Sequence, residues 1–289
     1  MPDIISPSQS DFVPGRLITD NALLSYKLIH YLNSKRKGKE GLAAIRLDIS
    51  KAYDRVEWVF LQNILIRMGF DRRWVRLIMN CVTSVTYKIK VNGGYTHRIC
   101  PQRGLRQGDP LSPYLFILCA EGLSAMLQKA EQEGRIEGIK ICRNAPRVNH
   151  LFFADDSLIL MKARASDTLE LRRILEVYER ASGQVINKDK STIMLSLNID
   201  QRVKDHMRTT LLILEVATSE RYLGLPVSVG KSRKNTFEYI KKKSGSGFKA
   251  GRRNFYRKRV RKYLLRLWHN LFQPMPCPAL ILPRACVRN

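Results

Sequence analysis

Two adjacent aspartates, Asp155 and Asp156, stand between two short apolar runs of the sequence, at 148–154 and 157–161. Each run has the length and composition of a β-strand, so the pair is expected at the turn of a hairpin. Neighbouring carboxylates in partly buried surroundings repel each other, and a divalent cation between them relieves that repulsion. The pair therefore indicates a metal site, although an acidic turn without further function is the simpler interpretation of the dipeptide alone.

A third carboxylate makes the metal interpretation more specific. Asp48 ends the apolar run 42–47, and an aspartate in that position alone is most simply a helix N-cap. In a split β-α-β arrangement, however, the strand that ends at Asp48 lies beside the hairpin, and all three carboxylates meet at one edge of the sheet. Such a cluster could bridge two metal ions roughly 4 Å apart, which activate a 3′-hydroxyl and stabilise a leaving pyrophosphate.

The order of the predicted elements supports the same arrangement. Between residues 42 and 197 the pattern predicts a strand, helices, a pair of strands, a further helix and a strand. This order is typical of an α+β fold with helices on one face of an antiparallel sheet. Asn92-Gly93 predicts a separate β-hairpin, and Gly183 is the predicted end of a helix. The predicted helix N-termini lie at Thr19-Asp20, Asp71, Ser112 and Ser166.

A loop rich in Gly, Arg and Gln precedes the predicted helix at residue 112. Gly104 and Gly108 permit close backbone approach to a ligand. Arg103 and Arg106 supply forked donors for phosphate, and the amide of Gln107 can hydrogen-bond a sugar or a base edge. A generic loop before a helix could look similar, so this loop alone is a weaker signal than the carboxylates.

The charge of the chain favours a polyanionic partner. The formal net charge is +26, and residues 231–289 contain 17 Lys and Arg against one acid. Each phosphate neutralised by such a chain releases condensed counterions, which favours nucleic-acid binding. The simpler alternative is a basic tail that only keeps the chain in solution.

The sequence contains no pattern typical of secretion or of a membrane span. No apolar run approaches the roughly 18–20 residues that cross a bilayer. The first ten residues are polar and lack the apolar core of a signal peptide. The six cysteines have no metal-binding spacing and are expected to be reduced thiols. We therefore expect an intracellular protein, nuclear or cytoplasmic, that is not secreted and has no transmembrane segment.

Six motifs occur in an order that resembles one known family. They are FVPGR at 12–16, LD followed by YD within 47–54, GLRQGDPLSP at 104–113, FADD at 153–156, N followed by KS within 187–191, and YLGLP at 222–226. Together they resemble the reverse transcriptase of LINE-type (non-LTR) retrotransposons, in particular the plant branch of that family. The resemblance runs from about residue 5 to residue 240 and implies a polymerase palm fold with part of the fingers and a remnant of the thumb.

The resemblance implies a catalytic and a metal-binding role for four residues. Asp48 and Asp155 correspond to the principal metal ligands, with Asp156 beside them and the backbone carbonyl of Ile49 assisting. The implied cofactor is a pair of Mg²⁺ ions, for which Mn²⁺ could substitute. The implied reaction is RNA-templated addition of deoxynucleotides to a primer 3′-end.

The resemblance also implies five nucleotide-binding residues: Tyr53, Arg106, Gln107, Gly108 and Lys190. An aromatic ring at Tyr53 would clash with a 2′-hydroxyl, which favours deoxynucleotides by a steric difference. Gln107 and Gly108 correspond to a nucleotide and template contact. Lys190 corresponds to a lysine near the triphosphate, a candidate acid for the leaving pyrophosphate. For Lys190 alone, a solvated surface lysine is the simpler interpretation.

Primer and template contacts are implied at Arg16, Tyr222, Leu223 and Gly224, the last three in the turn that grips the primer end. The implied partners are an RNA template, a DNA primer and deoxynucleoside triphosphates, without a membrane. The oligomeric state stays open.

Three segments are expected along the chain. Residues 1–41 are expected to be a partial fingers segment, and residues 42–230 the palm with inserted fingers helices. Residues 231–289 are expected to be a basic, poorly structured tail. Apolar periodicity and acidic residues both end abruptly near Lys243, so we hypothesise a shifted reading frame or a degenerate thumb beyond it. Against the family's pattern, we expect its longer fingers, its endonuclease and its zinc-binding segment to be missing from this sequence.

Two other functions remain open at this point. The first is a non-catalytic nucleic-acid-binding remnant that is held together by the palm core. The second is a two-metal nuclease, in which the Arg/Gln/Gly loop and Tyr53 would have no evident use.

Overall fold

The computed structural model describes residues 3–215, 221–222 and 225–226. Its helices are α1 (Ile18–Ser34), α2 (Trp58–Arg67), α3 (Arg72–Thr83), α4 (Ser112–Gln132), α5 (Ala165–Ser182) and α6 (Gln201–Leu211). Its strands are β1 (Leu42–Leu47), β2 (Ile49–Ser50), β3 (Lys90–Val91), β4 (Gly94–Tyr95), β5 (His150–Phe153), β6 (Asp156–Lys162), β7 (Val185–Ile186), β8 (Thr192–Leu195), β9 (Arg221–Tyr222) and β10 (Leu225–Pro226). The expectations for the tail, and for Leu223 and Gly224, lie outside the described residues.

An antiparallel sheet in the order β5-β6-β1-β8 organises this part of the chain. β1 lies inside the sheet, paired with β6 on one side and with β8 on the other, and five of its six residues are buried. Its pairing with β6 runs from Leu42 opposite Lys162 to Leu47 opposite Ser157. The strand that ends at Asp48 therefore lies beside the hairpin, as the sequence predicts.

Helices cover both faces of the sheet. α4 and α5 pack on the face that Ile45 and Leu47 share, in a core that includes Leu127 and Ile174. This is the one-sided arrangement expected for the segment that begins at residue 42. α1, from the preceding segment, covers the opposite face, where Leu28 packs with residues of β1 and β6.

A second core lies away from the sheet, where α2 and α3 pack against the start of α4. Leu61 and Leu65 of α2 are completely buried there, beside Val75 and Ile78 of α3 and Phe116 of α4. Burial of each such side chain contributes about 1.5–3 kcal/mol. This core fixes the position of the loop that leads into α4.

The helix ends are partly as predicted. Asp71 caps α3, since its carboxylate accepts from the N–H of Arg73 at 2.8 Å. Gly183 follows α5 with φ +73°, the left-handed cap that glycine permits. α1 and α5 begin at Ile18 and Ala165, without a side-chain cap. The predicted caps at Thr19-Asp20 and Ser166 are therefore wrong, because these residues already lie inside the helices.

The N-terminus of α4 differs slightly from the prediction as well. Ser112 is the first helical residue, and Leu111 occupies the cap position. Asp109 supplies the local acceptor instead, with its carboxylate 2.8 Å from the N–H of Leu111. A proline in the first turn of α4, Pro113, is as expected.

The predicted hairpin is confirmed as β3 and β4. Its turn residues, Asn92 and Gly93, have φ of +48° and +86°, the paired positive values of a tight hairpin turn. Within the described residues, no helix is both long and apolar enough to cross a membrane.

Candidate active site at the edge of the central sheet

The three aspartates singled out by the sequence come to one edge of the sheet. Asp48 directly follows β1, Asp155 lies in the turn between β5 and β6, and Asp156 begins β6. Because Leu47 pairs with Ser157, the next step of the register sets Asp48 opposite Asp156. Asp155 and Asp156 are exposed and Asp48 is half-buried, so the edge is open to a ligand.

The carboxylates at this edge act on one another electrostatically. The pKa of Asp156 is raised, first by partial burial of its carboxylate and then by the negative charge of Asp155. The positive charge of Arg46 opposes this shift, and the charge of Asp48 adds to it. The edge is therefore a place where a bound cation would be stabilised.

The side chains are not drawn together into a metal cage. Among the residues that the structure describes, no three His, Cys, Asp or Glu side chains form a group that could hold a metal ion. The donor set nevertheless fits, because carboxylate oxygens are the protein ligands that Mg²⁺ prefers. Because no such group forms among the described residues, the carboxylates of Asp48, Asp155 and Asp156 would have to move closer together to share one ion.

The backbone of Asp48 is held by the segment between β7 and β8. The N–H of Asp48 donates to the hydroxyl of Ser191 at 3.1 Å, and its carbonyl accepts from the N–H of Asn187 at 2.8 Å. The Ser191 hydroxyl in turn donates to the carbonyl of Asn187 at 2.7 Å. These bonds place the predicted triphosphate lysine, Lys190, on a segment bonded to Asp48.

Lys190 itself is exposed. Its N–H donates to the side chain of Asn187 at 3.2 Å, and its carbonyl accepts from the guanidinium of Arg46 at 3.3 Å. The backbone at Lys190 is thus tied down while its ammonium group stays in solvent. Sequence reasoning missed Arg46, although its position two residues before Asp48 on a strand puts both on the same face.

The turn that carries Asp155 is braced by the N-terminal segment. Gln9 is completely buried, and its side-chain carbonyl lies 3.3 Å from the N–H of Ala154, which has φ +50°. Asn21 is also buried and donates to the carbonyl of Phe152 at 2.8 Å. Sequence reasoning missed both residues, since isolated amides carry no periodic signal.

Tyr53 lies close to this turn. Burial raises the pKa of Tyr53, and the charges of Asp155 and Asp11 raise it further. Its ring stacks on Phe116 of α4, with centroids 4.7 Å apart. Asp11 is a further carboxylate that the sequence did not reveal, and its own pKa is raised by burial and by the charge of Asp155. The predicted deoxynucleotide-selecting ring is therefore brought next to a predicted catalytic residue.

The Gly/Arg/Gln loop is clamped onto the segment that follows Tyr53. The N–H groups of Gly104 and Leu105 donate to the carbonyls of Val56 and Tyr53, both at 2.8 Å. The indole N–H of Trp58 donates to the carbonyl of Gly104 at 2.8 Å. Gly104 has φ +91°, and an added Cβ would lie 2.7 Å from the carbonyl oxygen of the adjacent segment, so glycine is required there.

The tip of the loop presents the predicted nucleotide-binding residues to solvent. Arg106, Gln107 and Gly108 are all exposed. The amide nitrogen of Gln107 donates to the carboxylate of Asp54 at 3.2 Å. Below the tip, a cleft lined by Asp54, Trp58, Tyr87, Arg103 and Arg106 separates the loop from the end of α3 and the base of the β3–β4 hairpin.

Two predicted primer and template contacts have internal partners. The guanidinium of Arg16 donates to the backbone carbonyls of Ile5, Ser6 and Gln9. These bonds hold the N-terminal segment 5–16 together. Tyr222 is buried, with its hydroxyl 3.4 Å from the carbonyl of Leu151. Its pKa is raised by burial and by the nearby charge of Asp156. Both side chains support elements of the site, and direct contacts of either with a nucleic acid stay predictions.

Comparison with known proteins gives an independent view of the chain. A family model described as "Reverse transcriptase (RNA-dependent DNA polymerase)" matches residues 1–227. An uncharacterised mitochondrial protein of Arabidopsis thaliana is 57% identical over 67 residues, which cover 23% of this chain and 55% of that protein. An uncharacterised 149 kDa protein of transposon TX1 from Xenopus laevis is 34% identical over 203 residues, covering 68% of this chain and 15% of that protein.

A further relative extends the comparison. A Pol polyprotein from the type-1 retrotransposable element R2 of Popillia japonica is 29% identical over 231 residues, covering 76% of this chain and 31% of the polyprotein. The chain thus spans less than two thirds of the length of these curated relatives.

A solved structure of apo telomerase from Candida tropicalis, at 13% identity, superposes with a TM-score of 0.52 and covers 78% of this chain and 41% of that one. This likeness shows a shared fold and confirms the predicted polymerase palm. Because the family model matches well over half of the sequence, the chain belongs to the reverse transcriptase (RNA-dependent DNA polymerase) family.

Proposed function

We propose that this chain is the polymerase core of a retrotransposon enzyme that adds deoxynucleotides to a primer 3′-end on an RNA template. The observation that carries the proposal is the register of β1 against β6, which ends with Leu47 opposite Ser157 and so brings Asp48 to the edge where the turn of Asp155 and Asp156 lies. The family match supports the same chemistry.

In this proposal Asp48 and Asp155 are the principal ligands of two Mg²⁺ ions, assisted by Asp156 and by the carbonyl of Ile49. Bound there, the ions would favour ionisation of the primer hydroxyl and neutralise the leaving pyrophosphate. The negative charges of Asp155 and Asp48, which help to raise the pKa of Asp156, support a cation at this edge, because bound positive charge would relieve their repulsion. Mn²⁺ should substitute for Mg²⁺, since both take oxygen ligands.

The other predicted residues would position the incoming nucleotide. The ring of Tyr53, fixed by its stacking on Phe116, would exclude a 2′-hydroxyl. Arg106, Gln107 and Gly108 would contact the nucleotide and the template from the exposed loop. Lys190, with its backbone tied to Asn187 and its ammonium group in solvent, would protonate or neutralise the pyrophosphate. Positioning of this kind supplies most of the catalysis of phosphoryl transfer.

The partners and the organisation of the chain follow from this reaction. Arg16 and the turn 222–224 would support the RNA template and the DNA primer, and the need for nucleotides and RNA would place the protein in the nucleus or cytoplasm. We assign residues 1–41 to a partial fingers segment and 42–230 to the palm with inserted fingers helices. Residues 231–289 would be a basic tail, a frameshifted or degenerate thumb.

The source of the chain is proposed to be a non-LTR retrotransposon of the plant branch. The retrotransposable-element proteins among its relatives support the first part of this assignment. The match at 57% identity to a protein of Arabidopsis thaliana supports the second. The true reading frame beyond residue 243 can be tested by translating the source DNA in its other two frames.

A second function, non-catalytic nucleic-acid binding, is favoured by two observations. The formal net charge is +26, and the carboxylates in the described part of the chain are not gathered into a metal group. Such a remnant would bind RNA through counterion release and would not extend a primer.

Primer extension on the purified chain, with and without Mg²⁺, separates the two functions. Asp155→Asn should abolish extension while the affinity for RNA stays within about twofold. Asp205→Asn, a matched change on the exposed face of α6, should leave both unchanged. Extension that survives Asp155→Asn would remove this residue from the site, and RNA binding by a chain that never extends a primer would favour the second function.

A further inference from the structure

The amide of Gln107 has a specific partner, the carboxylate of Asp54. The side-chain nitrogen of Gln107 lies 3.2 Å from a carboxylate oxygen of Asp54. Asp54 comes from the turn after β2 and Gln107 from the loop before α4, so the bond joins two separate segments of the chain. Both side chains are exposed. Neither the motif at 47–54 nor the loop motif reveals this pairing when each is considered alone.

Backbone hydrogen bonds around the pair hold Asp54 and Gln107 near each other independently of the bond between their side chains. The N–H of Leu105 donates to the carbonyl of Tyr53 at 2.8 Å, and the N–H of Gly104 donates to the carbonyl of Val56, also at 2.8 Å. The Trp58 indole closes the same junction on the carbonyl of Gly104. Two segments joined by three hydrogen bonds therefore hold Asp54 and Gln107 within reach of each other, which lowers the entropy that their own hydrogen bond must overcome.

The chemistry of the pair decides which end of the amide faces the ligand. An ionised carboxylate can only accept hydrogen bonds, whereas an amide has a donating nitrogen and an accepting oxygen. The nitrogen of Gln107 must therefore face Asp54, and its oxygen must face the open side of the loop. An exposed amide without such a partner would rotate freely and present donor and acceptor equally.

We propose that Asp54 is a positioning residue that locks the Gln107 amide with its oxygen toward the incoming nucleotide. The lock makes the loop a hydrogen-bond acceptor at that point, suited to a donor such as the 3′-hydroxyl of the sugar or an amino group on a base edge. This inference rests on the proposed function for its ligand, but the lock itself is a property of the free chain.

The lock can be observed without any activity. In the chain labelled with ¹⁵N at glutamine, the signal of the Gln107 side-chain amide is identified by its loss in Gln107→Met. Asp54→Ala should shift this signal and speed exchange of its protons with water. Asp54→Asn should shift it less, because the asparagine oxygen can still accept. Glu57→Gln, which breaks the ion pair with Arg103 in the same junction, is the matched control and should leave the signal in place.

The consequence for the ligand is measured by steady-state primer extension. Asp54→Ala should raise the KM for the deoxynucleotide about fivefold, as expected for one lost hydrogen bond, with kcat changed less than twofold. Asp54→Asn should recover most of that loss. The double variant Asp54→Ala/Gln107→Met should be no weaker than Gln107→Met alone, because the two residues act as one unit.

The outcomes separate the inference from the proposed function. An amide signal that Asp54→Ala leaves unmoved overturns the lock. A moved signal, with additive effects of the two substitutions on KM, overturns the nucleotide-orienting role. If Gln107→Met itself leaves KM unchanged, the assignment of Gln107 to nucleotide binding fails, whereas the lock stands on the amide signal.

Discussion

Two halves of the candidate site are built in different ways. The carboxylate half consists of β1, β5 and β6 with the three aspartates, and its central residues, such as Ile45 and Leu158, are completely buried. The loop half consists of residues 84–111, where large apolar side chains such as Ile89 and Val91 are more than half exposed. Strand register sets the first half, and individual hydrogen bonds to the Tyr53–Asp54 region set the second.

This difference matches the roles proposed for the two halves, metal binding for the carboxylate half and nucleotide and template binding for the loop half. Carboxylates that share metal ions must be positioned to a fraction of an ångström, and packed strands supply that precision. A loop that meets successive nucleotides and template bases must adapt to each of them, and exposed segments open at low free-energy cost. Substitutions in the carboxylate half should therefore lower the stability of the whole fold. Substitutions in the loop half should change only the local structure and its contacts.

The largest effect is expected from a cavity in the carboxylate half. Ile45→Ala, at the centre of β1, should lower the free energy of unfolding by about 2–5 kcal/mol, because the surrounding sheet cannot collapse onto the void. Urea unfolding followed by circular dichroism measures this. Val59→Ala is the matched control, since Val59 is 70% exposed, and it should stay within about 0.5 kcal/mol. Equal losses for the two variants would contradict the assignment of the core.

A buried histidine in the carboxylate half should make the free energy of unfolding depend on pH. His150 of β5 is completely buried, with its ring nitrogens bonded to Ser124 and Asn149, and burial lowers its pKa from 6.5 to about 3. Between these values the unfolded chain binds a proton that the folded chain does not. The free energy of unfolding should therefore fall as the pH drops below about 6.5, by a few kcal/mol in total.

His150→Gln removes this titration. Urea unfolding at pH 5 and pH 7.5 should show a smaller difference for His150→Gln than for the wild-type chain. The same pH dependence in His150→Gln and in the wild-type chain would show that other groups cause the acid sensitivity.

The third effect tests the junction between the halves. Gly104→Ala would place a Cβ 2.7 Å from the carbonyl oxygen of Asp54 at φ +91°, so the loop must shift at a cost of about 1–3 kcal/mol. The catalytic efficiency kcat/KM for deoxynucleotides should fall by about tenfold or more. Gly93→Ala, in the same half of the site, has a similar φ of +86° but open space around it and no predicted ligand contact, so it carries only the backbone strain. A loss of kcat/KM for Gly93→Ala as large as that for Gly104→Ala would remove the clash as the cause.

Both halves could be predicted from the sequence in part. Short apolar runs of strand length mark the strands, so the strands and the placement of Asp48, Asp155 and Asp156 at one edge of the sheet could be predicted. The turn at Asn92-Gly93 could be predicted as well, because its conformation is local. Structure that depends on period or on local backbone conformation was therefore accessible from the residues alone.

Long-range polar pairs could not be predicted in the same way. Gln9 reaches the turn of Asp155, and Gln107 reaches Asp54, through hydrogen bonds whose partners lie far apart in sequence and follow no period. The helix caps at Thr19 and Ser166 were mispredicted because a cap contributes only about 1 kcal/mol, which packing of the helix overrides. The hydrogen bonds around the candidate site therefore need the fold, whereas the placement of the three aspartates at one edge of the sheet could be predicted without it.

The smallest effect is expected at the hairpin of the loop half, and it tests whether this half is independent. Gly93→Ala strains a turn residue at φ +86° in a region with no neighbouring atoms, which should loosen the hairpin by about 1–2 kcal/mol. The N–H of Thr96 donates to the carbonyl of Ile89 across the hairpin, so its hydrogen exchange should speed up about tenfold. Global unfolding in urea should change by less than about 0.5 kcal/mol, because the hairpin buries little apolar surface. A global loss equal to the local one would show that the hairpin is part of the cooperative core, and the contrast between the two halves would then not hold.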